Sequence, residues 1–147
     1  MGRQKESKVM KMVVSDADAL IALTHEGDVN HHKAITISTK LLEKGIMIIF
    51  PNTAILEAIT TLKRALNLPE KSSLVNRRYY QGAFVVEYVN ENIQLLSSKY
   101  YEKAVSKRNT AFDAVVAATA EELKADAIFS FDGWYKKLGF TLASEIK

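Results

Sequence analysis

The stretch VMKMVVSDADALIAL, residues 9–23, decides the fold class of this 147-residue chain. Residues 9–14 are an apolar, valine-rich run that predicts a buried strand. Residues 17–23 are apolar and favour a helix, so a strand runs directly into a helix, as at the opening of an α/β unit. Two acids, Asp16 and Asp18, stand where the strand ends.

The same alternation continues along the chain. Apolar residues recur at helical spacing before Gly45 and again after Pro51, around a second predicted strand at residues 46–50. We expect Asn52 or Thr53 to cap the helix after Pro51. The later predicted elements are a long helix over residues 75–89, a short strand at 93–96, a helix at 100–108, an alanine-rich helix at 112–123, and strands at 127–131 and 140–143. The pattern predicts an α/β fold, a mainly parallel sheet with helices on both faces.

The composition limits which kinds of site, partner and location are possible. The net charge of +3 permits a polyanionic partner, and the absence of cysteine excludes disulfides and thiolate metal sites. No apolar run approaches the roughly 20 residues that span a bilayer, so we expect no membrane association and a cytoplasmic location. We expect a flexible basic segment at residues 1–8 and one domain over residues 9–147.

Carboxylates cluster where ligands bind in α/β sheets, beyond the carboxyl ends of the strands. Each also has a structural interpretation: a capping box, a solvated helix face or an Asp-Gly turn. Four close carboxylates repel one another, and a divalent cation with oxygen ligands relieves that repulsion. We therefore favour a metal site. The acids concerned are Asp16 after the first strand, Asp18 with Ser15, Glu57 after Pro51, Asp113 with Thr110, and Asp132 before Gly133.

Four segments together resemble the PIN domain of ribonucleases. They are VVSDADALIAL at 13–23, FP at 50–51 followed by Glu57, TAFDA at 110–114, and IFSFD at 128–132. Their order, their spacing and the chain length are similar to the toxin halves of VapBC toxin–antitoxin pairs. Ser15 departs from the pattern, since an apolar residue more often precedes the first Asp.

The resemblance implies a PIN-like three-layer sandwich and a role for each matched residue. The acids would bind Mg²⁺ or Mn²⁺, and a metal-activated water would hydrolyse RNA. The metal shell would be Asp16, Glu57 and Asp113, completed by Asp132 directly or through water, with Asp18 in support, and with Thr110 and Ser130 orienting neighbouring acids.

Basic and aromatic residues suggest partners for this site. Lys63, Arg64, Arg77, Arg78 and Arg108 are candidate contacts for an RNA backbone, although a solvated helix face explains each one equally well. Residues 74–89 mix apolar and basic side chains. We expect them to form a docking face for a second copy, giving a homodimer, or for a cognate antitoxin.

The leading hypothesis is a metal-dependent endoribonuclease, the toxin of a toxin–antitoxin pair. The main alternative is a non-catalytic PIN-type module that binds RNA or assists ribosome assembly. Asp16-Ala17-Asp18 also resembles the Asp-x-Asp of haloacid-dehalogenase phosphatases, but no convincing companion Lys follows. The His31-His32 pair offers imidazole ligands, yet adjacent residues on a helix point about 100° apart.

Overall fold

The computed structural model describes residues 9–147, so the predicted flexible segment at residues 1–8 lies outside the described residues. The strands are Met12–Ser15 (β1), Met47–Pro51 (β2), Val85–Glu87 (β3) and Ala127–Phe129 (β4). The α-helices are Ala17–Thr24 (α1), His31–Glu43 (α2), Asn52–Arg64 (α3), Pro69–Tyr80 (α4), Glu91–Glu102 (α5), Ala111–Leu123 (α6) and Trp134–Lys137 (α7). A 3-10 helix, Ala143–Glu145, follows α7.

The four strands form one parallel sheet in the order β3-β2-β1-β4. β1 pairs with both β2 and β4, and Val13 and Val14 are fully buried on its two faces. Val13 packs with Leu41 of α2, whereas Val14 packs with Ala117 of α6. Helices on both sides of the sheet bury both faces, which accounts for the continuous valine run. The predicted α/β sandwich is confirmed.

The predicted long helix over residues 75–89 is wrong. α4 ends at Tyr80, and Gly82 turns the chain at a φ of +72°, a left-handed conformation that glycine adopts without steric cost. Val85 then pairs with Ile49 as part of edge strand β3. Valines placed three apart fit a helix face, but two adjacent β-branched residues also fit a strand.

The predicted strand at residues 93–96 is also wrong, because these residues belong to α5. The side chain of Asn90 caps this helix, its Oδ1 accepting a hydrogen bond from the Ile93 N–H at 2.9 Å. Ile93 is fully buried and packs against residues of α6. The predicted helix at 100–108 is correct only as far as Glu102, where α5 ends.

Two smaller predictions need correction. Neither Asn52 nor Thr53 caps α3, because the residue before the helix is Pro51, which makes no side-chain hydrogen bond. Asn52 Oδ1 instead accepts from the Val89 N–H at 2.9 Å. In place of a strand at 140–143, Leu142 makes an isolated bridge to Ile128 before the 3-10 helix. No helix within residues 9–147 has both the length and the apolarity to cross a membrane.

Candidate metal centre

Asp16 is held rigidly at the carboxyl end of the central strand. Its backbone N–H donates to the Phe129 carbonyl at 3.0 Å, which continues the pairing with β4. Its Oδ1 caps α1 by accepting from the Ala17 N–H at 2.7 Å, and its Oδ2 accepts from the Tyr135 hydroxyl at 2.6 Å. Ser15 is the last residue of β1 and fully buried, so the departure at this position does not displace Asp16.

Asp113 lies in the first turn of α6 and is buried. Its Oδ2 accepts from the Thr110 N–H at 3.0 Å, as the acid of a capping box does. Asn109 Nδ2 approaches the same oxygen at 3.5 Å. The capping-box interpretation of Asp113 is therefore correct for Oδ2. Neither of these two contacts involves the other carboxylate oxygen, Oδ1.

Glu57 comes from the second turn of α3, and the solvated interpretation does not fit it. Its Oε2 is buried and has no hydrogen-bond partner. One carboxylate oxygen from each of Asp16, Glu57 and Asp113 lies within 4.8 Å of the other two. The structure thus brings together three acids that are 41 and 56 residues apart along the chain.

The acids of this cluster resist ionisation without a counter-charge. Burial first, then the charges of Asp18 and Asp113, raise the pKa of Asp16 well above its usual value, against the hydrogen bond from Tyr135. Burial, followed by Asp113 and Asp18, raises the pKa of Glu57 to about 7. Burial also raises the pKa of Asp113. A divalent cation would remove this penalty, so the oxygen donors and the unpartnered Glu57 Oε2 fit a hard metal ion.

Asp18 does not pair with Ser15 in a capping box. Its Oδ2 accepts from Ser130 Oγ at 2.9 Å and from the Phe131 N–H at 2.8 Å, which ties α1 to the segment after β4. Its Oδ1 is buried without a hydrogen-bond partner. Burial outweighs the two hydrogen bonds and raises the pKa of Asp18 to about 6.

Asp132 lies outside the group of three acids within 4.8 Å of one another. Its Oδ1 accepts from the Trp134 N–H at 2.9 Å, as in the turn interpretation, and its Oδ2 accepts from Asn109 Nδ2 at 2.9 Å. Ser130 Oγ also accepts from the Asp132 N–H at 3.1 Å, so one hydroxyl contacts both Asp18 and Asp132. The Thr110 backbone N–H donates to the Asp113 carboxylate at 3.0 Å and so orients it.

Sequence reasoning missed two residues of the centre. Tyr135 is fully buried, and its hydroxyl also lies 3.4 Å from the Asp113 carbonyl. Asn109 is buried between Asp113 and Asp132. The signal for each was its spacing: Tyr135 stands three positions after Asp132, and Asn109 stands four before Asp113. Tyr and Asn at such positions are more often structural.

The predicted basic contacts divide into two groups by their place in the fold. Lys63, Arg64, Arg77 and Arg78 are exposed in the last turns of α3 and α4. Arg108 is exposed directly beside Asn109 in the chain.

The two adjacent histidines belong to the start of α2. His31 Nδ1 lies 2.6 Å from the Ala22 carbonyl, and its ring makes an edge contact with that of His32. Across residues 9–147, neither histidine joins a group of potential metal ligands.

Comparison with known proteins identifies the family of this chain. A family model for the PIN domain matches residues 13–140. The chain belongs to the PIN domain family. This membership supersedes the phosphatase interpretation of Asp16-Ala17-Asp18. Among curated proteins, no sequence matches this PIN domain significantly.

Two solved structures share the PIN fold of this chain. VapC20 of Mycobacterium tuberculosis, described as a sarcin-ricin loop cleaving toxin, is 18% identical with a TM-score of 0.73, the match covering 88% of this chain and 96% of that one. FitAcB from Neisseria gonorrhoeae is 15% identical with a TM-score of 0.63, covering 92% of this chain and 100% of that one. At these identities the likeness concerns the fold.

Proposed function

We propose that this PIN domain, over residues 9–147, is a divalent-metal-dependent endoribonuclease. The observation that carries the proposal is the set of carboxylate oxygens from Asp16, Glu57 and Asp113 within 4.8 Å of one another. The buried, unpartnered oxygens of Glu57 and Asp18 support it, because a buried polar atom without a partner is costly unless a ligand satisfies it. Oxygen donors without cysteine suit Mg²⁺ or Mn²⁺.

In this proposal Asp16, Glu57 and Asp113 hold the metal. When bound, the metal lowers the pKa of a water molecule and neutralises charge on the scissile phosphate. Two hydrogen bonds fix the Asp16 carboxylate, and the Thr110 N–H fixes that of Asp113. Asp18 Oδ1 is free, and a carboxyl group with a pKa of about 6 is suited to accept a proton from the attacking water.

In this proposal Asp132 does not bind the metal directly. Asn109 Nδ2 donates to Asp132 and approaches Asp113, so the amide holds the two carboxylates in a fixed relation. We propose that Asp132 completes the shell through a water molecule.

The cellular role that we propose is that of a cytoplasmic toxin neutralised by a cognate antitoxin. Its support is the fold shared with VapC20, whose description names a toxin. We further propose a homodimer that uses residues 74–89. Tyr80, Val85 and Tyr88 in this region are 84%, 49% and 64% exposed, as expected of side chains that a partner covers. A chain that remains monomeric at high concentration in sedimentation equilibrium would contradict the dimer.

The nuclease proposal is tested with Asp16→Asn and Asp113→Asn. Each retains the side-chain shape but removes a metal-binding charge, so we expect RNA cleavage to fall by about 100-fold or more. Asp28→Asn, in the turn before α2, is the matched control and should cleave normally. Cleavage that survives both substitutions, or excess chelator, contradicts the proposal. Metal binding without turnover of any RNA would favour the non-catalytic alternative.

A further inference from the structure

Glu57 differs from the other acids of the centre in how its side chain is held. Each of the other four acids accepts at least one hydrogen bond that orients its carboxylate. Burial, followed by the charges of Asp113 and Asp18, raises the pKa of Glu57 to about 7, and no hydrogen bond opposes the rise. Carboxylates that bind a metal are usually held by such bonds, so Glu57 requires a further polar group to orient it.

Thr53 carries a polar group that the fold leaves unused. Within residues 9–147, only three buried side-chain oxygens lack a hydrogen-bond partner: Thr53 Oγ1, Glu57 Oε2 and Asp18 Oδ1. Two of the three belong to acids of the centre. A buried hydroxyl without a partner is costly unless a ligand or a water molecule satisfies it, so the Thr53 hydroxyl also points to a bound group.

The place of Thr53 in its helix explains why the hydroxyl is unpaired. Thr36 in α2 and Thr119 in α6 donate to the carbonyl four residues earlier, at 2.9 and 2.7 Å. Thr53 is the second residue of α3, and the residue four before it, Ile49, belongs to β2. The first turn of a helix offers no helical carbonyl to such a side chain, so this hydroxyl remains available to another group.

Helix geometry places the hydroxyl beside the Glu57 carboxylate. Residues four apart lie on one face of a helix, with Cβ atoms about 5–6 Å apart. Side chains also lean towards the N-terminus of their helix, so that of Glu57 extends over the turn that carries Thr53. No direct hydrogen bond joins the two side chains. One water molecule can bridge polar atoms at such a separation.

We propose that Thr53 is a positioning residue of the metal centre, which orients Glu57 through a water molecule that the cation retains. The inference rests on the proposed metal-dependent function and deepens it by adding a residue outside the acids. Mg²⁺ loses its waters reluctantly and usually keeps several. A hydroxyl beside one of its carboxylate ligands therefore has such a water to bind, and that water in turn contacts Glu57 Oε2.

The test compares three variants of the full chain. Thr53→Val keeps the shape and the branched Cβ but removes the hydroxyl. Thr53→Ser keeps the hydroxyl and loses only a methyl group. Thr60→Val makes the same change as Thr53→Val at an exposed position of the same helix. Isothermal titration with Mn²⁺ gives the affinity, and urea unfolding in chelator and in one fixed excess of Mn²⁺ gives the stability.

We expect Thr53→Val to bind Mn²⁺ about 10-fold more weakly, a usual result of removing a group that orients a ligand. Thr53→Ser should keep most of the affinity, and Thr60→Val should bind like wild type. In chelator, Thr53→Val should be at least as stable as wild type, because its buried hydroxyl has no protein partner to lose. The stabilisation by Mn²⁺ should be smaller by about 1.4 kcal/mol, which is the 10-fold loss expressed as a free energy.

A purely structural role gives the opposite pattern. Thr53→Val would then lose stability in chelator and keep the Mn²⁺ affinity of wild type, which overturns the inference. Equal losses of affinity in Thr53→Val and Thr53→Ser also overturn it, because they assign the effect to the methyl group.

Failure of the inference and failure of the proposed function are distinguishable. If wild type cleaves RNA and Thr53→Val binds Mn²⁺ equally well, the role of Thr53 is wrong and the nuclease stands. If Mn²⁺ affinity depends on the Thr53 hydroxyl but wild type cleaves no RNA, the positioning role stands and the nuclease proposal fails. A wild-type chain that binds no divalent cation overturns both.

Discussion

The Tyr135 hydroxyl donates a hydrogen bond that favours the ionised form of Asp16, the most deeply buried acid. Burial and the nearby Asp16 charge raise the pKa of Tyr135 well above its usual value, so the phenol keeps its proton and always donates. Its bond to Asp16 Oδ2 in turn opposes the rise in the pKa of Asp16. One neutral side chain thus favours the charged form of the carboxylate that a metal requires.

Tyr135→Phe should weaken metal binding while preserving the fold. Loss of the hydrogen bond raises the pKa of Asp16 further, and we expect Mn²⁺ affinity near neutral pH to fall by about 10-fold. Stability should fall by about 1 kcal/mol. Isothermal titration with Mn²⁺ measures the affinity. Tyr80→Phe removes the same atom from a residue that is 84% exposed and should leave the Mn²⁺ affinity unchanged. Equal Mn²⁺ affinities for wild type and Tyr135→Phe would contradict the role of the hydroxyl.

Sequence predicted the acids of the centre better than their supports. Asp16 and Asp113 each stand at a helix start marked by a strong apolar pattern, so their positions followed from the pattern. Asn109 and Tyr135 could not be found this way, because they act only once segments distant in sequence have met. The pairing of Asp18 with Ser130 spans 112 residues and was beyond local reasoning for the same reason.

Small residues allow α6 to lie close to the sheet and to α5. Ala114, Ala117 and Ala118 are fully buried, and α6 contacts α3, α5, β1, β2 and β4. Side chains this small bring the helix near enough to carry Asp113 to the other acids.

Ala117→Leu should destabilise the protein through overpacking. Three added carbon atoms have no space in this core, and we expect a loss of about 1–3 kcal/mol in urea unfolding. Ala111→Leu, at the exposed first residue of the same helix, makes the same chemical change and should have little effect. Equal losses in the two variants would mean that close packing is not what the alanines provide.

The cap of α5 is a second test at this scale. Asn90→Ala removes the acceptor for the Ile93 N–H and should cost about 1 kcal/mol. Asn92→Ala, exposed two residues further along α5, is the control and should cost less. A smaller loss for Asn90→Ala than for Asn92→Ala in chemical denaturation would refute the cap.

Elements were predictable where their signal was long. The alanine-rich helix and the first strand-to-helix junction were correctly predicted. The helix over residues 75–89 and the strand at 93–96 were not, because short apolar runs fit either structure. Pairing with β2 makes residues 85–87 a strand, and the Asn90 cap makes 93–96 part of a helix.

The stability of the whole molecule should depend on pH in a direction set by its buried acids. The pKa of Glu57 rises from 4.5 to about 7 on folding, and that of Asp18 from 3.8 to about 6. At a pH between the unfolded and folded pKa of each acid, that acid holds a proton in the folded chain that it has released in the unfolded chain. Stability without metal is therefore greatest at low pH within this window and declines as pH rises towards 7.

Urea unfolding at pH 5 and pH 7.5 measures this trend. In chelator the free energy of unfolding should be lower at pH 7.5, and Glu57→Gln should show a smaller decline. Saturating Mn²⁺ should reduce or reverse the decline, because metal binding requires the ionised acids. A metal-free stability that rises between pH 5 and 7.5 would contradict the pKa directions.

The strand order also has a consequence for the timing of synthesis. β1 emerges from the ribosome before the other three strands, yet β4, the last of the four, is one of its two neighbours in the sheet. Asp113 and Tyr135 likewise appear late, and chains emerge N-terminus first at about 5–20 residues per second. The catalytic centre that we propose therefore cannot assemble until α6 and α7 have been made. If the chain has the nuclease activity that we propose, that activity would appear only after Tyr135 has left the ribosome.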